Sequence, residues 1–401
     1  MQVGLLPPLG SGLALGESEQ FLKIILTRAM PACGLLMLCL FIAAWVNACA
    51  ATVSAITIEV RQFCEISGGC GPGDFFVDNP QALTALRFAT KAYEPFTDSL
   101  AAIPANPSWI ASFTNPETGS SGATIQNLAV PTNTLILYAG GYDMPGGQVA
   151  EAGPGTANIS LSRGQGTITD SGAYDFATWG GSIAFDTLDG VNPRKWHFGI
   201  DTLPGPGQTD FLTIAFHELA HVFGFGTAAS FDNLISNNHL LGAEVIKLNG
   251  SAPALATDNN HWVSGTTSPP YADPPFSPLS ASLLLGRRLE LTPLDYAALK
   301  DIGWQVPDKL LGLHGDGDQD GDVDGRDFLN WQRNYGQMGL HAGDFDGNQR
   351  VDDYDLWLWY TNNGSRLAPP LQTIQIVPEP TLAGLTACWA LCLAVGYRTR
   401  P

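Results

Sequence analysis

Phe211-Leu212-Thr213-Ile214-Ala215-Phe216-His217-Glu218-Leu219-Ala220-His221-Val222-Phe223-Gly224 is the stretch on which the reading of this chain turns. Its apolar run predicts one helix from Phe211 to Phe223, with Thr209 or Asp210 as N-cap. Gly224 and Gly226 follow at once, where a helix stops and the chain turns. His217 and His221 are four apart, so on a helix they share one face and can hold one metal ion. Neutral imidazole suits zinc. Glu218 lies between them, placed to take a proton from a water beside the metal. A buried helix with two incidental histidines is the competing reading. The spacing, the glutamate and the glycine stop together favour the metal site.

Through Gly224 the stretch resembles the metzincin signature H-E-x-x-H-x-x-G-x-x-H. The resemblance implies a zinc-dependent endopeptidase acting on protein or peptide substrates. The signature's last ligand falls on Thr227, a poor zinc donor. Three residues further on can supply the third donor: His261, His239, or Glu244 in a His2Glu set of the thermolysin type. His261 is favoured, because it follows a polar turn (Asn259-Asn260) and precedes Trp262, which can pack it. Leishmanolysin-like metzincins also carry an insertion before their third histidine. The late His-Trp and the closing stretch Leu291 to Trp304 resemble exported matrixin-like metalloproteases. No methionine lies between His221 and Trp304, so the apolar floor under the metal falls to a residue such as Leu279 or Leu283. His197 reads as a hydrogen-bonded strand histidine.

Around this helix the pattern predicts an α+β fold, a mixed sheet with long helices on one side, over residues 51–305. Strands are expected at Ile56–Val60, Ala123–Tyr138, Thr156–Leu161 and Gly181–Phe185, and helices at Pro80–Tyr93 and Pro293–Ile302. Thr292 is the expected N-cap of the last helix, and Gly303 its stop.

Past Trp304 the sequence changes character. Asp316, Asp318, Asp320, Asp322, Asp324 and Asp327 fall on the ligand positions of a calcium loop, with Gly321 at its sharp turn. A second copy begins at Asp344 and continues through Asp346, Asn348, Arg350, Asp352 and Asp355. Val323 and Val351 hold the same apolar position, and Gln349 stands where the first copy has Gly321. Each loop runs into a short helix carrying Trp331 or Trp357. The repeat resembles a type I dockerin over Leu313 to Gly364, a small all-α module at 311–366. That resemblance implies two Ca2+ ions, a cohesin-like partner and a role as a tether. His314 and His341, flanking the loops, are expected to be solvated.

The termini point to export. Lys23 and Arg28 precede the apolar Ala32–Val46 and the small residues Ala48-Cys49-Ala50, a signal peptide at 1–50. A lipoprotein anchor through Cys49 is the less favoured alternative. Residues 377–401 combine Val377-Pro378-Glu379-Pro380, an apolar segment and basic Arg398 and Arg400. They resemble a PEP-CTERM sorting signal, which implies an exosortase-type processing enzyme and a cell-envelope or secreted destination; a simple anchor is the alternative. Of the 7 cysteines, Cys64 and Cys70 alone lie outside these ends, and an oxidising compartment predicts a disulfide between them. A net charge of −19 argues against nucleic acid as a partner. Two functions compete: a secreted zinc endopeptidase, and an inactive metalloprotease-like scaffold that docks a cohesin-like partner. The intact Glu218 favours the enzyme.

Overall fold

Both faces of one strand are buried, and that strand sets the layers. The computed structural model of the chain describes residues 55–368 except 161, 165, 168–174 and 282–284. The expected export and sorting segments lie outside the described residues. A four-stranded sheet runs in the order β1 (Thr57–Gln62), β4 (Thr134–Tyr142), β7 (Gly180–Asp186), β5 (Ala150–Pro154). The first two pairings are parallel, and β5 is an antiparallel edge strand against β7. Along β4, Leu135, Leu137 and Ala139 enter one core, while Ile136 and Tyr138 enter the other.

On the first side lie the helices α1 (Pro80–Thr90) and α2 (Phe211–Val222). On the other lies a three-stranded antiparallel sheet, ordered β3 (Ala123–Gln126), β2 (Ile110–Phe113), β6 (Thr156–Ala157). The α+β expectation is met at that level. The expected strand Ala123–Tyr138 is two strands, β3 and β4, in different sheets. Asn127 and Asn133 adopt φ of 63° and 52° and turn the chain between them. Of Thr156–Leu161, only Thr156–Ala157 pairs. Arg163, 1 % exposed, ties the layers together by donating to the carbonyls of Ala101, Pro131, Thr134 and Thr178. A disulfide joins Cys64 to Cys70.

After α3 (Pro293–Asp301) come the two acidic loops and their helices, α4 (Gly325–Asn334) and α5 (Asp353–Asn362). The segment expected as a tether lies against the sheet-and-helix core. The Trp357 ring sits 5.8 Å from Phe216 of α2 and 5.4 Å from Phe88 of α1. Asn362 Nδ2 and Thr361 Oγ1 both donate to the Glu290 carboxylate. Lys91 pairs with Asp352 at 3.5 Å. A buried tryptophan in such a contact contributes about 3–5 kcal/mol. Trp357→Ala should therefore lower the stability of the whole described region by about that much in urea denaturation, in a single transition. Separate melting of the loop module with an unchanged core would contradict the packing.

Candidate metal centre

The helix that carries the site is pinned at both ends. Asp210 caps α2, accepting from Thr213 N at 3.1 Å and Thr213 Oγ1 at 2.8 Å. Arg288 grips the same carboxylate with Nε at 3.1 Å and Nη2 at 2.8 Å, and also donates to the carbonyls of Gly199 and Ile200. Every residue of α2 is buried. At the other end Gly224 and Gly226 take φ of 96° and 66°. A Cβ on Gly226 would lie 2.5 Å from the Asn260 carbonyl oxygen, so only glycine lets the loop bearing His261 rest on this turn. Thr227, at the metzincin ligand position, donates instead to the His221 carbonyl at 2.6 Å.

Three imidazoles meet where that loop crosses the helix. The Nε2 atoms of His217 and His221 are 3.1 Å apart, those of His217 and His261 3.2 Å, and those of His221 and His261 3.3 Å. Each ring's other nitrogen faces an acceptor. His217 Nδ1 donates to Pro278 O, His221 Nδ1 to Phe225 O and His261 Nδ1 to Asp258 Oδ2, all at 2.8 Å. The two carbonyls accept only, so they fix the Nδ1–H tautomer of His217 and His221, and the Asp258 carboxylate favours it for His261. The three Nε2 atoms then face one another, those of His217 and His221 as lone pairs. Burial pushes His217 down to about 3 and His221 to about 4, which keeps both neutral. Tetrahedral zinc with bonds of ~2.0–2.1 Å spaces its ligands by roughly 3.3 Å, so the three nitrogens fit that ion. His239 lies apart on a hairpin, bonded to Asn237 O, and Glu244 faces Lys247 and Lys300. Neither joins the cluster. His197, on a short strand, bonds Thr202 O.

The floor is held by a carboxylate that sequence reasoning missed. Asp295, at the third position of α3, is fully buried and accepts from Trp262 Nε1, Ser277 Oγ, Thr292 N and Thr292 Oγ1. It thereby fastens the segment after His261 to the segment that supplies Pro278 O. Leu279, 0 % exposed, lies in that segment, and its carbonyl accepts from Trp262 N. Leu283 lies outside the described residues. The signal for Asp295 was present as the Thr292-x-x-Asp295 capping box, which by itself says only where a helix starts.

The histidines open into a cleft of about 410 Å³ whose opposite wall is Gly147 to Ala152 of the edge strand and the loop before it. Glu218 lines the same cleft, and burial, with the field of Glu151 adding, raises its carboxyl to about 8. Its place in one cleft with three convergent nitrogens suits it to proton transfer.

The two acidic loops share one geometry. Asp316, Asp318 and Asp320 converge in the first, and Asp344, Asp346 and Asp355 in the second. Asp327 and Asp355 each accept from the backbone N–H groups of the loop's second and third residues. Asp324 and Asp352 cap α4 and α5. Trp331 Nε1 donates to Asp352 O, and Trp359 Nε1 to Asp324 O, a reciprocal pair. Trp359, not Trp357, is thus the counterpart of Trp331, and Trp357 is free to pack on the core. Both loops need two left-handed residues: Gln319 and Gly321 in the first, Gly347 and Gln349 in the second. Gln349 N donates to Asp344 Oδ2 as Gly321 N does to Asp316 Oδ2, so the turn survives the missing glycine. Burial raises Asp344 and Asp346, and carries Asp355 to about 7. The Asp316 Oδ1 atom is buried without a hydrogen-bond partner among the described residues. These carboxylates suit a hard divalent cation. Asn348 bonds Asp346, while Asp322 and Arg350 carry exposed side chains at one shared loop position. His341 Nε2 faces Met338 O, and His314, expected in solvent, is 2 % exposed, bonded to Leu310 O and packed on Tyr296.

Comparison with protein-family models, curated proteins and solved structures finds no significant match for this chain.

If the three nitrogens form one metal site, His261→Ala should cut zinc content as severely as His217→Ala, while His239→Ala leaves it intact. Elemental analysis of the purified full chains reads this directly. Loss of the Asp258 acceptor should cost roughly 10–100-fold in zinc affinity.

Proposed function

We propose that this chain is a zinc-dependent endopeptidase. The observation that carries the reading is the convergence of three Nε2 atoms in one cleft with Glu218, walled by a sheet edge. His217, His221 and His261 would hold the zinc ion, which would supply Lewis acidity toward a water and the scissile carbonyl. Glu218 takes the attacking water's proton and returns it to the departing amine. The edge strand β5 selects the substrate class. Its outer rim has no strand partner among the described residues, so an extended peptide can pair there through backbone hydrogen bonds. The three convergent histidines, with Glu218 in the same cleft, favour the enzyme over an inactive scaffold.

The two acidic loops hold calcium on this reading. Ion binding relieves the mutual repulsion of Asp344, Asp346 and Asp355 and fixes α5 on the back of α2. The module thus braces the catalytic helix. A cohesin-like partner is left the other face, where Tyr335, Met338 and Leu340 are exposed. The Cys64–Cys70 disulfide supports an oxidising, extracytoplasmic location. The metzincin, dockerin and sorting-signal resemblances belong to the same proposal.

Glu218→Gln should keep zinc and fold but lose turnover on peptide substrates by roughly 10²–10⁴-fold. Undiminished turnover in that variant would remove the peptidase mechanism. Calorimetric titration should find two calcium sites, and calcium should raise the melting temperature of the whole described region. No calcium heat and an unchanged melting temperature would leave the loops a merely acidic segment.

A further inference from the structure

Besides the histidines and Glu218, one other ionisable residue among the described residues lines the cleft, Glu151 of β5. Ala150 and Ala152 turn into the helix-side core, so Glu151 stands on the opposite face of the strand. There Tyr142 Oη donates to Glu151 Oε1 at 2.9 Å and holds the carboxylate in place. No lysine or arginine lines the cleft among the described residues, and none there is paired with Glu151. β5 has β7 on one side and the cleft on the other.

A peptide that joins this edge as a further strand alternates its side chains between the two faces. The residue opposite Glu151 brings its Cβ to roughly 4.5–5.5 Å from that of Glu151. A cationic side chain there reaches the carboxylate, and an anionic one meets like charge with nothing to neutralise it. We propose that Glu151 is a specificity-determining residue. It selects peptides that carry a lysine or arginine at one fixed position relative to the cut, on the face of the bound strand away from the histidines. This rests on the peptidase reading above.

The test is cleavage-site profiling of the zinc-loaded full chain on a mixed peptide library, alongside Glu151→Gln and Glu151→Lys. Within each protein, the rate on a lysine-containing peptide is divided by that on its matched alanine peptide, so that differences in active fraction cancel. The wild type should favour the basic peptide by roughly three- to tenfold. Glu151→Gln, which keeps a partner for Tyr142, should bring the ratio near one. Glu151→Lys should turn the preference toward aspartate or glutamate at the same position. Cleavage by the wild type with no basic preference, or a preference that survives both substitutions, overturns the subsite alone. No cleavage by any of the three proteins overturns the peptidase reading and the subsite with it.

Discussion

Three hydrogen bonds from imidazole Nδ1 atoms govern the rest of the site. Pro278 O, Phe225 O and the Asp258 carboxylate each accept one of them at 2.8 Å. All three Nε2 atoms then point at one place, and burial keeps those of His217 and His221 as lone pairs. Without a cation such an arrangement is costly, since acceptors face acceptors at 3.1–3.3 Å. The fold tolerates it because the acceptors come from segments that are themselves tied down. Phe225 follows the helix turn at Gly224. Pro278 belongs to the segment that Asp295 holds through Ser277, and Trp262, beside His261, bonds the same carboxylate.

The same logic explains why α2 is buried on all sides. A ligand-bearing helix that tilts by an ångström misplaces two nitrogens at once. Arg288 and Asp210 fix its start, and the Thr227 hydroxyl and two glycines fix its end. On its outer side Phe216, next to His217, meets Trp357 of the acidic-loop module. The module therefore bears on the neighbour of His217, which ties it physically to α2. On the cleft side, the antiparallel edge strand has a rim with no strand partner among the described residues, and its alternation sends Glu151 to the far face.

The sequence was informative where function rests on local geometry. The helix at Phe211–Val222 ends one residue from where its pattern predicts, because cap, apolar period and glycine stop all act within a turn. His261 could be singled out from the polar turn before it and the tryptophan after it. The paired loops were legible through their repeated oxygen spacing. What depends on contacts distant in sequence was not. The break at Asn127 and Asn133 was hidden, because the flanking strands read as one apolar alternation until each found its own sheet. Likewise, nothing in the His314 neighbourhood announced its burial under Tyr271 and Tyr296, which come from other segments. Trp357 looked like a module residue, yet its partners Phe216 and Phe88 lie far up the chain. Glu151 was passed over because its value comes from Tyr142 and from the strand edge, neither of which is visible in Ala150-Glu151-Ala152 alone.

X-ray absorption at the zinc edge of the zinc-loaded protein should show one zinc per chain bound by three imidazole nitrogens at about 2.0–2.1 Å, with an oxygen donor completing the shell. Multiple-scattering features from only two imidazoles, or a sulfur shell near ~2.3 Å, would contradict the three-histidine site.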